Sequence, residues 1–106
     1  MRTLKFIVNK QIIIRDPSCD FSGLVPGTEG YLRAEFCFSK DWDGCVKVAS
    51  FLSSTGHEFE PRVLEDGLSC DIPSEALTKR AFKIQVLGKG ENLKLVTNKV
   101  TVLQDC

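Results

Sequence analysis

The segment from Tyr31 to Phe51 constrains the fold of this chain more than any other part of the sequence. Two runs of alternating β-branched and aromatic residues, Tyr31–Phe38 and Val46–Leu52, flank a short polar turn. A period of two places alternate side chains on one face of a strand, so each run predicts a half-buried strand. The turn between them carries the only tryptophan, Trp42, which we expect to fold back onto a sheet as an anchor. The segment therefore predicts an all-β domain.

The sequence before this segment predicts a hairpin and a long loop. Thr3–Val8 and Ile12–Arg15 are apolar, β-prone runs separated by three polar residues, which is typical of two paired strands. Asp16–Gly30 is rich in glycine and proline and predicts a loop. Within this loop Phe21, Leu24 and Val25 are apolar enough to hold it against the body of the domain.

The sequence after this segment predicts further short strands and one helical turn. Strands are expected at 57–64, 68–72, 82–87 and 93–103, and Pro61 indicates an edge or a bulge in the first of them. The tight turn Glu65-Asp66-Gly67 is a hairpin signal. Proline followed by helix-forming residues predicts a short helical turn near 73–78. Seven to nine short strands with hardly any helix indicate a β-sandwich or a barrel.

Length and charge limit the classes of function. A chain of 106 residues is expected to form a single domain, 1–106, with one two-layer core. Its 14 basic and 14 acidic side chains cancel, so no basic excess favours nucleic acid as a partner. Near-zero net charge removes one barrier to self-association, and we weigh a monomer and a homo-oligomer equally. No apolar run approaches the roughly 18 residues of a membrane span, and no signal peptide is recognisable, so we expect a cytosolic protein.

The five cysteines, which are Cys19, Cys37, Cys45, Cys70 and Cys106, do not suggest a metal site. They include no C-x-x-C pair, the spacing typical of zinc ligands. In a reducing compartment they are expected to remain unpaired structural thiols rather than form a functional disulfide. Leu68, Cys70 and Ile72 alternate onto one predicted buried face, whereas Cys106 is expected to be exposed.

No arrangement of side chains predicts catalysis. His57 is the only histidine and falls at a predicted hairpin tip without the surroundings of a catalytic serine. Glu58 and Glu60 lie two apart on one strand, which is typical of an exposed face rather than of a glycosidase pair. We therefore expect no enzyme, no cofactor and no small-molecule ligand.

The turn Asp41-Trp42-Asp43-Gly44 begins like a calcium-binding loop but does not continue as one. The EF-hand pattern needs glycine at its sixth position and glutamate at its twelfth. Here glycine comes fourth and the twelfth residue is Leu52, so we expect no metal. The simpler interpretation is a turn in which aspartates bond local backbone N–H groups and Gly44 takes a positive φ.

Four stretches together resemble small Ig-like β-sandwich proteins of phages and prophages of Gram-positive bacteria. They are Phe36–Phe51 around Trp-Asp-Gly, Cys70–Leu77, Phe82–Gly88 and Val96–Val102. Similar stretches occur in the N-terminal domains of phage baseplate and tail-fibre proteins, and the resemblance covers about residues 3 to 103. It implies an Ig-like antiparallel sandwich without catalytic residues. It also implies an adaptor or decoration domain that assembles with itself or with other virion proteins, in the host cytoplasm and then in the virion. Longer members carry a C-terminal fibre or receptor-binding region, so receptor binding is not expected of these residues.

The leading hypothesis is a non-enzymatic phage or prophage structural protein that works through sandwich faces and edge strands. Unpaired backbone groups at a sheet edge invite a partner strand. Asp41, Trp42, Asp43 and Gly44 and the loop Asp16–Gly30 are the expected contact surfaces, with Trp42 either an interface residue or a core plug. The alternative is a carbohydrate- or protein-binding module outside a virion, against which the mostly inward positions of the aromatics count. A small enzyme is the third and least favoured hypothesis.

Overall fold

The computed structural model describes residues 1–64 and 66–104, and its regular structure is almost entirely β. The strands are β1 (Arg2–Asn9), β2 (Ile12–Arg15), β3 (Leu32–Phe38), β4 (Val46–Ser53), β5 (Arg62–Val63), β6 (Ser69–Asp71), β7 (Ala81–Lys89), β8 (Lys94–Val96) and β9 (Val100–Leu103). Short 3-10 turns occupy Lys40–Trp42 and Ser74–Thr78. The all-β class, the strand number and the helical turn near 73–78 are confirmed. The predictions for Glu65 and Cys106 lie outside the described residues.

The strands form two sheets packed face to face. The first sheet has the order β2-β1-β3-β6, and the second has the order β5-β4-β7-β8, with β9 pairing with the other half of β7. The predicted hairpin of β1 and β2 is present, with Lys10 in its turn at φ 56°. The sandwich is confirmed.

One strand pair differs from the predicted antiparallel arrangement. β1 and β3 run parallel, from Arg2 beside Leu32 to Val8 beside Phe38. Parallel neighbours need a crossover connection of about a dozen residues or more. Here β2 and the loop Asp16–Gly30 bring the chain back to the starting end of β1, so the first sheet is mixed.

Alternating side chains from both sheets fill the space between them. β1 contributes Leu4, Phe6 and Val8, β3 contributes Leu32, Ala34 and Phe36, and β7 contributes Phe82, Ile84 and Val86, all buried. The predicted inward positions of these strands are therefore confirmed. Leu68 was expected to share this face but is 49% exposed, because β6 begins only at Ser69. Phe21 and Leu24 do hold the long loop against the core, whereas Val25 is exposed.

Two irregularities shape the second sheet. Leu52 of β4 pairs with Glu58, and Ala49 of β4 pairs with Arg62. Residues 59–61 therefore lie opposite only two residues of β4, Ser50 and Phe51. This is a β-bulge and it contains Pro61, as predicted. The run 93–103 was expected to be one strand but is interrupted at Thr97, whose hydroxyl accepts a hydrogen bond from the Val86 N–H at 3.0 Å. The Thr97 hydroxyl thus takes the place of a backbone carbonyl as the acceptor for this N–H.

Candidate interaction surface

The turn Asp41–Gly44 places its tryptophan in the core. Trp42 is fully buried, its indole N–H donates to the Lys10 carbonyl at 2.7 Å, and its ring lies 5.2 Å from that of Phe38. Of the two roles left open for Trp42, the structure assigns the core plug. Its side chain offers no surface to a partner, while Asp41, Asp43 and Gly44 remain exposed.

Local hydrogen bonds explain the shape of this turn. The Ser39 hydroxyl accepts the Lys10 N–H at 2.9 Å and donates to the Asp41 carboxylate at 3.1 Å. Gly44 has the predicted positive φ of 77°. The aspartate therefore bonds a neighbouring hydroxyl rather than the backbone N–H that was expected. Through Ser39 and Trp42 the turn fixes the β1–β2 hairpin against the end of β3.

Trp42 also supports the second sheet from its inner side. A Cβ atom added to Gly88 on β7 would lie 2.6 Å from the indole ring, closer than any side chain tolerates. Gly88 is thus required for the indole to lie this close to β7. The opposite side of Gly88 belongs to a groove on the outer face of the second sheet.

This groove is a feature of the described surface that could receive a partner. Its volume is about 630 Å³. It is lined by Val46, Val48, Ser50, Glu58, Pro61, Leu87, Gly88, Lys89, Gly90 and Lys94. The floor follows from strand register, because Val46 pairs with Lys89 and Val48 pairs with Leu87. Residues paired in this way point to the same face, and here it is the face away from the core.

Apolar side chains stand open to solvent around the groove. Val46 is 62% exposed and Val63, which pairs with Val48 from β5, is 64% exposed. Sequence reasoning recognised these runs as strands but did not single out this face. The signal was present in β4, where Val46, Val48 and Leu52 alternate with Ala49 and Phe51 so that both faces are apolar. A strand that is apolar on both faces is typical of burial on both sides.

The charges of the groove are separated along its length. Lys89 and Lys94 are paired neighbours beside Val46 at one end. Glu58 lies opposite Leu52, six residues further along β4. At about 3.3 Å per residue, the two ends are about 20 Å apart. The surface therefore has a basic end, an apolar middle and an acidic end.

The edge of the first sheet at β2 is closed rather than open to a partner strand. The Asn98 side-chain oxygen accepts the Ile13 N–H at 2.7 Å, and its amide donates to the Ile13 carbonyl at 3.3 Å. The Asn98 N–H in turn donates to the Gln11 carbonyl at 3.2 Å. One asparagine thus occupies the backbone groups that a partner strand would use at Ile13, and the expectation of an inviting edge is wrong there.

The loop Asp16–Gly30 is tied down by two similar turns. Asp16 accepts hydrogen bonds from the N–H and the hydroxyl of Ser18, and Asp20 does the same with Ser22. These bonds hold the pKa of both carboxyl groups below the usual aspartate range. The Arg2 guanidinium also donates to the carbonyls of Asp20 and Ser22. Two smaller pockets border the loop, one beside Gly27–Glu29 and one beside Asp16–Phe21, and the expectation of a contact surface here stays a prediction.

Chemically reactive side chains do not converge in the described part of the chain. His57 is exposed in the predicted turn, where its ring meets the edge of Phe59 at 5.2 Å. Cys19, Cys37 and Cys45 carry free thiols, and Cys70 is buried as expected. Within residues 1–64 and 66–104, no three His, Cys, Asp or Glu side chains come together as a metal site would require. The same residues include no helix with the length and hydropathy of a membrane span.

Comparison with known proteins gives no relative of this chain. No family model, no curated protein and no solved structure matches it. The resemblance to phage Ig-like sandwiches therefore stays a prediction from the sequence.

Proposed function

We propose that this protein is a non-enzymatic assembly module that works through protein–protein contacts, in a phage or prophage virion or during its assembly. The observation that carries the proposal is the apolar groove on the outer face of the second sheet. The assignment to a virion rests on the sequence resemblance alone. The contact surface rests on the geometry of the groove.

The hydrophobic effect favours burial of this face against a partner. Fully burying a valine or leucine side chain is worth about 1.5–3 kcal/mol relative to leaving it exposed. Val46 and Val63 are largely exposed, and Val48 and Leu87 are half-buried. An apolar centre with charged groups at its margin is also the usual composition of a protein–protein interface.

The composition of the groove favours a protein over a sugar as its partner. Carbohydrate platforms use exposed aromatic rings, and none of the residues that line the groove is aromatic. The groove is also bordered by projecting valines rather than by convergent hydrogen-bonding groups. These features support the assembly hypothesis over the carbohydrate-binding alternative.

Sedimentation of native lysates tests the proposal. Wild type, Val48→Lys in the groove and Ile14→Lys on the outer face of the first sheet would be expressed at native level in the natural host. We expect wild type and the Ile14 control to sediment in assemblies that contain other proteins, and Val48→Lys to be released from them. Circular dichroism would verify that both variants fold. Sedimentation of all three proteins free of any other protein would contradict the proposed function.

A further inference from the structure

We propose that the groove binds a second copy of this chain, in a two-fold symmetric pair with the outer faces of the two second sheets in contact. This inference rests on the proposed function, because it uses the same surface, and it names the partner. The distribution of charge, the shape of the face and its area point to a second copy as the partner.

The separated charges of the groove are complementary to themselves. A two-fold axis that lies between the two faces and crosses the strands obliquely, midway between Glu58 on the β5 side and Lys94 on β8, places the acidic end of each copy over the basic end of the other. Glu58 of each copy then meets Lys94 of its partner, twice in one interface. A pairing without this reversal would set lysines against lysines. An isologous interface needs this kind of self-complementary surface.

Lys83 also lies on this face and does not oppose the arrangement. Lys83 pairs with Leu52 on the outer face and is half-buried, whereas Glu58 and Lys94 are exposed. Strand β4 separates Lys83 from Glu58. Because the chain carries no formal net charge, two copies approach without long-range repulsion.

The apolar middle of the face supplies both the projecting and the receiving parts of such a contact. Val46 is exposed within the groove of about 630 Å³, and Val63 is exposed on β5 beside it. In the two-fold arrangement the apolar middle of each copy faces that of the other. Water would leave the apolar surfaces of both copies at once.

The size of the face predicts a weak pair. The strands of the second sheet and the bulge at 58–61 comprise about 30 residues, which at about 4.8 Å by 3.3 Å each present at most roughly 500 Å² per copy. Two copies together would bury on the order of 1,000 Å², the lower limit of specific interfaces. We therefore expect a dimer whose population changes with concentration, with a Kd in the micromolar range or above.

Charge reversal tests the pairing directly. Glu58→Lys and Lys94→Glu each convert two attractive contacts into repulsive ones. We expect each variant alone to dimerise on the order of ten- to a hundredfold more weakly than wild type. An equimolar mixture restores both contacts, because one partner then carries lysine at both positions and the other carries glutamate. Lys5→Glu, an exposed reversal on the outer face of the first sheet, is the matched control and should behave as wild type.

The measurement is the mass in solution by light scattering, over a concentration series with reducing agent. A rise from 11.8 kDa towards twice that mass for wild type, its loss in each single reversal and its return in the mixture would establish the pair. A wild type that stays at 11.8 kDa, unaffected single reversals, or a mixture that stays monomeric would overturn it. Such a failure is distinguishable from failure of the proposed function, which the sedimentation of native lysates tests through other proteins.

Discussion

The two faces of the second sheet are both apolar, but only the inner face is covered throughout. On the inner face Phe82, Ile84 and Val86 of β7 are completely buried against the first sheet. On the outer face Leu52 is buried, but Val46 and Val63 are more than half exposed. The exposed part of the outer face around these two valines therefore contributes little to folding. Substitutions on the inner face should therefore change the stability of the fold, and substitutions at the exposed valines of the outer face should change association.

The largest effect is expected where the inner face meets the turn. Trp42→Ala removes the largest buried side chain and its hydrogen bond to Lys10. We expect the free energy of unfolding to fall by about 3–5 kcal/mol. Denaturant unfolding followed by circular dichroism measures this loss. An unchanged stability would mean that the turn is not part of the core.

Gly88 connects the two faces, because its inner side touches Trp42 and its outer side forms part of the groove. Gly88→Ala should cost about 1–3 kcal/mol, since the new methyl overlaps the indole ring. In a Trp42→Leu background the overlapping ring atoms are absent, so the same change should cost clearly less. A double-mutant cycle of unfolding free energies checks this coupling. Equal costs in the two backgrounds would contradict the contact.

Neighbouring residues of β7 provide a matched comparison of the two faces. Val86→Ala, on the inner face, should lower the free energy of unfolding by about 2 kcal/mol, because it leaves a cavity. Leu87→Ala, on the outer face, removes more atoms but should cost less than about 1 kcal/mol in the monomer. Thermal or chemical unfolding at low protein concentration measures both. If Leu87→Ala proved the more costly change, the outer face would belong to the core.

A smaller effect is expected at the closed edge of the first sheet. Asn98→Ala removes both partly buried side-chain hydrogen bonds to Ile13, and bonds of this kind contribute about 0.5–1.5 kcal/mol each. Amide hydrogen exchange at Ile13 should accelerate, while dimerisation through the outer face of the second sheet stays unchanged. Loss of dimerisation in this variant would place the contact at the edge instead.

Local patterns predicted much of the fold because they depend on neighbouring residues. The alternation in Tyr31–Phe38 and 82–87, the proline before the helical turn and Pro61 in the bulge each act over a few positions. The parallel pairing of β1 with β3 was not predictable in the same way, since strand order depends on contacts far apart in sequence. The interruption of the last strand at Thr97 was not predicted either, because the Thr97 hydroxyl there replaces a backbone carbonyl as the partner of the Val86 N–H.

The candidate surface was harder to predict than the fold. The Trp-Asp-Gly turn singles out Trp42 in the sequence. Its burial depends on Lys10, Phe38 and Gly88, which surround it only in the folded chain. Val46 and Val48 were recognised as strand residues. A single strand does not reveal whether its second apolar face is covered by its own chain or by another molecule.

Methyl NMR titration tests most directly whether the outer face of the second sheet is an association surface. Unlabelled protein would be added to protein labelled at its isoleucine, leucine and valine methyl groups. We predict concentration-dependent shifts at Val46, Val48, Val63 and Leu87, with Ile12 and Ile14 of the first sheet unchanged. Shifts confined to Ile12 and Ile14, or no shifts at any concentration, would contradict association through this face.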